Sequence, residues 1–154
     1  MDTVDKATRS RMMSNIRGKD TRPELLLRRE LHRLGFRFRN HATSLPGKPD
    51  FILPKYRAAV FVHGCFWHRH VGCRLASTPA TRPDFWNAKF EANIDRDARA
   101  RDALLRSAWR VATIWECGLR KAKDVSAAAE IVARWLPSEL DTLEIGSEDL
   151  RLER

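Results

Sequence analysis

The sequence predicts an α/β protein built around one layered sheet. Two features point there. Unbroken apolar runs at residues 57–62 (RAAVFV) and 109–115 (WRVATIW) have the length and composition of strands buried on both faces. Segments with helical periodicity surround them, in the order α-α-β-β-β-α-β-α. A chain of 154 residues fits a single domain. Its expected extent is residues 1–136, with residues 137–154 as a loose, polar, acidic tail.

Residues 5–17 read as a first helix, with Met12, Met13 and Ile16 on an apolar face opposite Lys6, Arg9, Arg11 and Arg17. Residues 22–34 form a second. Thr21 is its candidate N-cap, Pro23 lies in its first turn, Glu24 completes a Thr-x-x-Glu capping box, and Gly35 follows its end. Residues 36–39 (FRFR) alternate as a half-buried strand does. Pro46, Gly47 and Pro49 make a turn, after which residues 51–53 are a short strand stopped by Pro54. The buried strand 57–62 leads into a polar loop rich in Cys and His, residues 63–73. A helix-start signal at residues 81–84 opens a long helix running to about Ser107, with Phe85, Ala88, Ala92 and Leu104 among its apolar positions. The buried strand 109–115 follows. Residues 125–136 close the domain as an amphipathic helix carrying Val125, Ala129, Val132 and Leu136.

Composition narrows the function classes. No apolar run approaches the roughly 18 residues of a membrane span. The opening MDTVDKATRSRMM has no apolar stretch after its charges, so no secretory signal is expected. Three cysteines cannot all pair internally, which argues against a disulfide framework. The net charge is +9, unevenly spread. Residues 137–154 hold six acids and two bases, a net of −4, which leaves +13 on residues 1–136. A body that basic suits a polyanion, because each neutralised phosphate releases condensed counterions; a merely solubilising surface is the alternative.

The strongest chemical signal is Cys65-x4-His70-x2-Cys73 with Cys117 far downstream. Three thiolates and an imidazole are a common closed, structural zinc set. The alternative is three cysteines packed as small hydrophobes. His63 and His68 remain as further candidate ligands or as general bases. Asp50 enters a buried strand from a turn, where its charge needs a cation such as Mg²⁺ or local backbone N–H groups. Asp95 and Asp97 lie on the long helix, where pairing with nearby arginines would also account for them. Phe66 and Trp67 are consecutive in the polar loop. They suit stacking on, or wedging between, bases, or else shielding the metal site; Phe85 and Trp86 can serve in either way.

Several blocks together resemble the very short patch repair (Vsr) endonucleases. These are KATRS from Lys6, SLPG-x-PDF from Ser44 to Phe51, HGCFWH from His63 to His68, ATR-x-x-FW from Ala80 to Trp86, N-x-x-RD from Asn93 to Asp97, and WEC from Trp115 to Cys117. The resemblance runs from about residue 5 to about residue 120. It implies a restriction-endonuclease-like core with a central mixed sheet flanked by helices. It also implies Mg²⁺-dependent nicking of one strand of double-stranded DNA, 5′ of the thymine in T·G mismatches left by 5-methylcytosine deamination, and a structural Zn²⁺. Asp50 and the backbone carbonyl of Val62 match the Mg²⁺ contacts. His63 and His68 match active-site histidines, and Glu24 and Asp97 match the neighbouring acids. Cys65, His70, Cys73 and Cys117 match the zinc ligands. Met13, Phe66, Trp67 and Trp86 match residues that wedge into DNA beside the mismatch, with residues 1–20 as a DNA-contacting helix. The resemblance further implies a bacterial, cytoplasmic, nucleoid-associated monomer, with mismatch-repair factors as additional partners. Arg69 and Val71 interrupt what is a longer His run in some members, and Gly72 reads as an insertion that leaves His68 as an alternative ligand. A restriction-type nuclease of different target choice, and a zinc-bearing DNA-binding module without catalysis, are the competing readings.

Overall fold

A computed structural model describes residues 21–40 and 42–151. The helix expected over residues 5–17, and Met13 with it, lies outside the described residues. The elements are α1 (Arg22–Arg33), β1 (Arg39–Asn40), β2 (Phe51–Leu53), β3 (Ala58–His63), α2 (Pro83–Arg106), β4 (Arg110–Trp115), α3 (Ala122–Trp135), β5 (Thr142–Ile145) and α4 (Ser147–Arg151). The strands form one mixed five-stranded sheet in chain order. β1, β2 and β3 are antiparallel neighbours. β3–β4 and β4–β5 are parallel, so a helix crosses over between the strands of each pair.

Strand alternation sorts the core into two layers. On one face Ala58, Val60, Ala112 and Ile114 meet Leu27 and Leu31 of α1 and Val125, Ala128, Ala129 and Val132 of α3. On the other, Ala59, Phe61 and Val111 meet Leu104 of α2. β3 and β4 are thus covered on both faces, as their unbroken apolar runs require. Among the described residues no helix is long and apolar enough to cross a membrane.

The structure departs from the sequence expectations in three places. Thr21 precedes α1 but makes no side-chain capping bond, and Glu24 is drawn inward instead, 1% exposed. The strand expected at residues 36–39 shrinks to Arg39–Asn40, although Phe36 and Phe38 keep the expected alternation and pack against the core. Phe38 packs at 5.4 Å on Phe51. The acidic C-terminal segment is not a loose tail. Residues 142–145 add the fifth strand, and Ile145 and Leu150 are 0% and 1% exposed. Its polar residues conceal this because two of its acids bind within the fold. The Trp115 indole N–H donates to Glu144 Oε1 at 2.7 Å, and the Gly146 N–H to Asp149 Oδ2 at 2.7 Å.

Ile145→Ala is therefore expected to lower stability by about 2–4 kcal/mol through the cavity left in the core. Urea unfolding measures this, and an unchanged midpoint would mean that the C-terminal strand contributes nothing to the domain.

Candidate active site

β3 and β4 end side by side, with His63 opposite Trp115. The candidate groups gather at these two C-terminal ends, where α/β sheets commonly place their sites. The β2–β3 hairpin delivers the first group. The Asp50 N–H bonds the Val60 carbonyl at 3.0 Å, and the Val62 N–H donates to Asp50 Oδ2 at 2.6 Å. The preceding turn needs glycine. Gly47 has φ +73°, and a Cβ there would stand 2.5 Å from the Ala100 Cβ of α2.

Behind Asp50 lies Glu24 on α1, with Arg28 one turn on and its guanidinium 3.1 Å from Glu24 Oε2. Burial first, and then the hydrogen bond from Glu24, push the Asp50 carboxyl up to about 8. A buried carboxyl hydrogen-bonded to a second one resists ionising unless a cation is near. A hard cation there would offset that charge, so this pair fits a Mg²⁺-type ion. Glu24 is thus buried beside Asp50, and Thr21 makes no side-chain cap bond.

The second group is His63, His68 and Asp97, whose ligand-type atoms all lie within 4.8 Å of one another. The two imidazoles stack at 3.8 Å with 6° between their planes. His68 Nδ1 lies 2.6 Å from Asp97 Oδ2. This bond holds the proton on Nδ1 and leaves Nε2 free to accept one. Burial, and then the adjacent His68, push His63 down to about 3, so it is neutral near pH 7. Asp97 does not spend its charge on a helix arginine, whereas Asp95 pairs with Arg99 as a solvated face would.

Cys65, His70, Cys73 and Cys117 form the third group, again with all ligand atoms within 4.8 Å. His70 Nδ1 lies 3.6 Å from the Cys65 sulfur and 3.5 Å from that of Cys117. A tetrahedral zinc with bonds of about 2.3 Å to sulfur and 2.0 Å to nitrogen separates such ligands by about 3.5 Å. The residues fit zinc. Burial pushes the Cys65 thiol upward, with Cys117 and Cys73 adding to the effect, and a bound cation reverses that tendency. His68 is turned to Asp97, and His70 takes the place among the cysteines. Gly72, at φ +71°, makes the turn between His70 and Cys73.

The aromatic residues come together as well. Phe66 lies 5.0 Å from Trp67, 5.8 Å from Trp86 and 5.2 Å from Phe90, ring to ring. Phe85 adds to the exposed side and the buried Phe90 to the base. The Asn93 amide donates to the Trp67 carbonyl at 3.0 Å. A cavity of about 550 Å³ has Asp50, His63, His68 and Asp97 in its walls, with Lys48, Arg96 and Arg101 supplying positive charge.

These last cations were not singled out in the sequence, because nothing there distinguishes them from other surface arginines and lysines. Gly146 and Ser147 were also missed. The Ser147 N–H donates to the Cys117 sulfur at 3.3 Å. A Cβ on Gly146 would stand 2.7 Å from His70 Cε1. The legible signal was Leu143-x-Ile145 followed by glycine, a short alternating strand and a turn.

Comparison with known proteins decides the family. A family model described as DNA mismatch endonuclease Vsr matches residues 1–74. The DNA mismatch endonuclease Vsr of Escherichia coli is 40% identical over 153 residues, covering 98% of this chain and 97% of that protein. The chain belongs to the Vsr DNA mismatch endonuclease family. Other relatives include the type II nicking enzyme V.XorIIP of Xanthomonas oryzae, 48% identical over 77% of this chain and 86% of its own. The type II nicking enzyme V.NmeAIP of Neisseria meningitidis is 39% identical over 77% and 84%. As a Vsr family member the chain is a DNA endonuclease, and its cavity and charge suit that substrate.

The Cys/His group is expected to bind zinc. Gly146→Ala, by forcing the His70 ring aside, is expected to weaken that binding roughly 10- to 100-fold. Chelator competition measures it, and wild-type affinity in the variant would remove Gly146 from any role at the metal.

Proposed function

We propose that this protein nicks one strand of duplex DNA 5′ of the thymine in T·G mismatches arising from 5-methylcytosine deamination, and so starts very short patch repair. The observation that carries this reading is one loop. Residues 66 and 67 of that loop join an aromatic cluster, and residue 68 pairs with Asp97 beside Asp50. A mismatch-reading wedge and a hydrolytic centre thus share one short segment. The sheet, with its antiparallel β1–β3 and parallel β3–β5, supports a restriction-endonuclease-like core.

A T·G pair is weakly stacked and costs less to open than a matched one. Phe66, Trp67 and Trp86 enter at that step, together with Met13 from the N-terminal segment. Lys48, Arg96 and Arg101 draw in the backbone phosphates. Asp50 and the Val62 carbonyl would hold Mg²⁺, with Glu24 beside them; when bound, the ion would supply positive charge against the charge that builds on the phosphate. His68 Nε2 takes a proton from the attacking water, while Asp97 fixes its tautomer. Water oxygen bonds to phosphorus, the bond to the 3′ oxygen breaks, and that oxygen takes up a proton. His63, kept neutral, hydrogen-bonds the reacting phosphate without adding a second charge to the stacked pair. Cys65, His70, Cys73 and Cys117 would hold a structural zinc, which would stiffen the loop. The protein acts as a monomer on nucleoid DNA and passes its nick to repair factors.

Incubation of a strand-labelled T·G duplex with Mg²⁺ is expected to give one nick, 5′ of the thymine, and none in the matched duplex; cutting of matched DNA would favour the restriction-type reading. Asp50→Asn is expected to lower the nicking rate about 10²-fold or more while DNA binding persists. An Asp50 carboxyl raised to about 8 must lose its proton to take a metal, so apparent Mg²⁺ affinity rises with pH and levels off above about 8. Below that point the slope approaches about tenfold per pH unit, which Mg²⁺ titrations of the nicking rate at pH 6, 7 and 8 measure.

A further inference from the structure

Arg69 stands between His68, which pairs with Asp97, and His70, which joins the cysteines, and it belongs to neither group. Its backbone is left-handed, at φ +55°. Its guanidinium lies over the ring of the buried Phe90, with Cζ 3.9 Å from the centroid, and 5.7 Å from that of Phe66. Nη1 donates to the carbonyls of Phe66 at 3.2 Å and Ser77 at 3.0 Å. Nη2 donates to the Ala76 carbonyl at 2.9 Å and to Thr78 Oγ1 at 3.1 Å. One planar group therefore ties together the backbone under Phe66, the exposed strap at residues 76–78, and the buried side of α2.

The geometry points to Arg69 as the positioning residue that holds the aromatic wedge rigid against DNA. This rests on the mismatch-nicking reading above. A side chain pushed between base pairs meets a restoring force of a few kcal/mol per unstacked step. Phe66 and Trp67 sit on a loop with no regular secondary structure, so that force must be met by side chains gripping its backbone. The Cys/His group secures the loop at residues 65, 70 and 73. Arg69 secures it at residue 66 and braces it against α2.

The alternative, that Arg69 contacts a phosphate, conflicts with its donor count. All four N–H groups on Nη1 and Nη2 already face protein acceptors, and only the Nε N–H is left. Lysine cannot substitute. Its ammonium has three donors at one point and no plane to lay on Phe90.

The test uses Arg69→Lys and Arg69→Gln in the full-length, metal-loaded protein, with two substrates. One is a T·G duplex. The other carries the same pair beside a one-nucleotide bulge, where the step is already unstacked. On the first, both variants are expected to lose roughly 10- to 100-fold in kcat/KM, the cost of a wedge slightly misplaced. On the bulged duplex they are expected to stay within about threefold of wild type, because no stacked step opposes the wedge. Metal content, thermal midpoint and the salt dependence of binding should match wild type. Equal losses on both substrates, or loss of metal or fold in both variants, would make Arg69 a general structural support and overturn the inference. So would wild-type activity in Arg69→Lys with a shallower salt slope in Arg69→Gln, the mark of a phosphate contact. Wild-type protein that shows no preference for T·G over matched DNA would instead sink the mismatch reading itself.

Discussion

The parallel pairing of β3 with β4 is the constraint on which the rest depends. Its register sets His63 opposite Trp115, and Trp115 then stands between two chemistries. His70 stacks on its face at 4.3 Å, and His63 meets its edge at 5.4 Å. A slip of one residue would send His63 to the other face of the sheet and carry Cys65 away from Cys117. Buried apolar side chains on both faces of the two strands make that slip expensive, so core packing is what aligns the catalytic candidates with the metal group. β5 completes the arrangement. Glu144 fixes the Trp115 indole, and Gly146 and Ser147 close over His70 and Cys117.

Around this frame the charges are arranged for hydrolysis next to a polyanion. Burial and the hydrogen bond with Glu24 raise the Asp50 carboxyl, and Arg28, paired with Glu24, limits the cost of burying the acids. Of the stacked histidines, His63 is held neutral by burial and by the adjacent His68, while His68 pairs with Asp97. The negative groups point inward, and the lysine and arginines of the cavity supply the outward positive field that draws in DNA.

The loop after β3 is held from several sides. Asn93 and Asp97, one turn apart on α2, grip the consecutive residues Trp67 and His68. A displacement of Trp67 is therefore felt at His68. Rigidity here comes from side chains and a metal-type cluster because a loop this polar has no core of its own to bury.

The Cys/His spacing, the two buried strands, the long helix and the HGCFWH block were legible in the sequence, because each is a local pattern that neighbours along the chain impose. Asp50 was legible as a costly acid at a strand entrance. Glu24 carried two readings in the sequence, a capping box and an acid matched by resemblance; the box is a local rule, whereas its burial beside Asp50 depends on how α1 docks on the hairpin. The C-terminal strand was hidden because only two apolar side chains mark it, and its acids are satisfied by partners about 30 residues away or within its own turn. His70 was read as the cysteines' partner from its spacing, with His68 as an alternative. What only the tertiary structure decided is that His68 turns to Asp97 of α2 while His70 lies among the sulfurs of Cys65, Cys73 and Cys117, because such placements are set by long-range packing, which leaves no periodic trace in the order of residues.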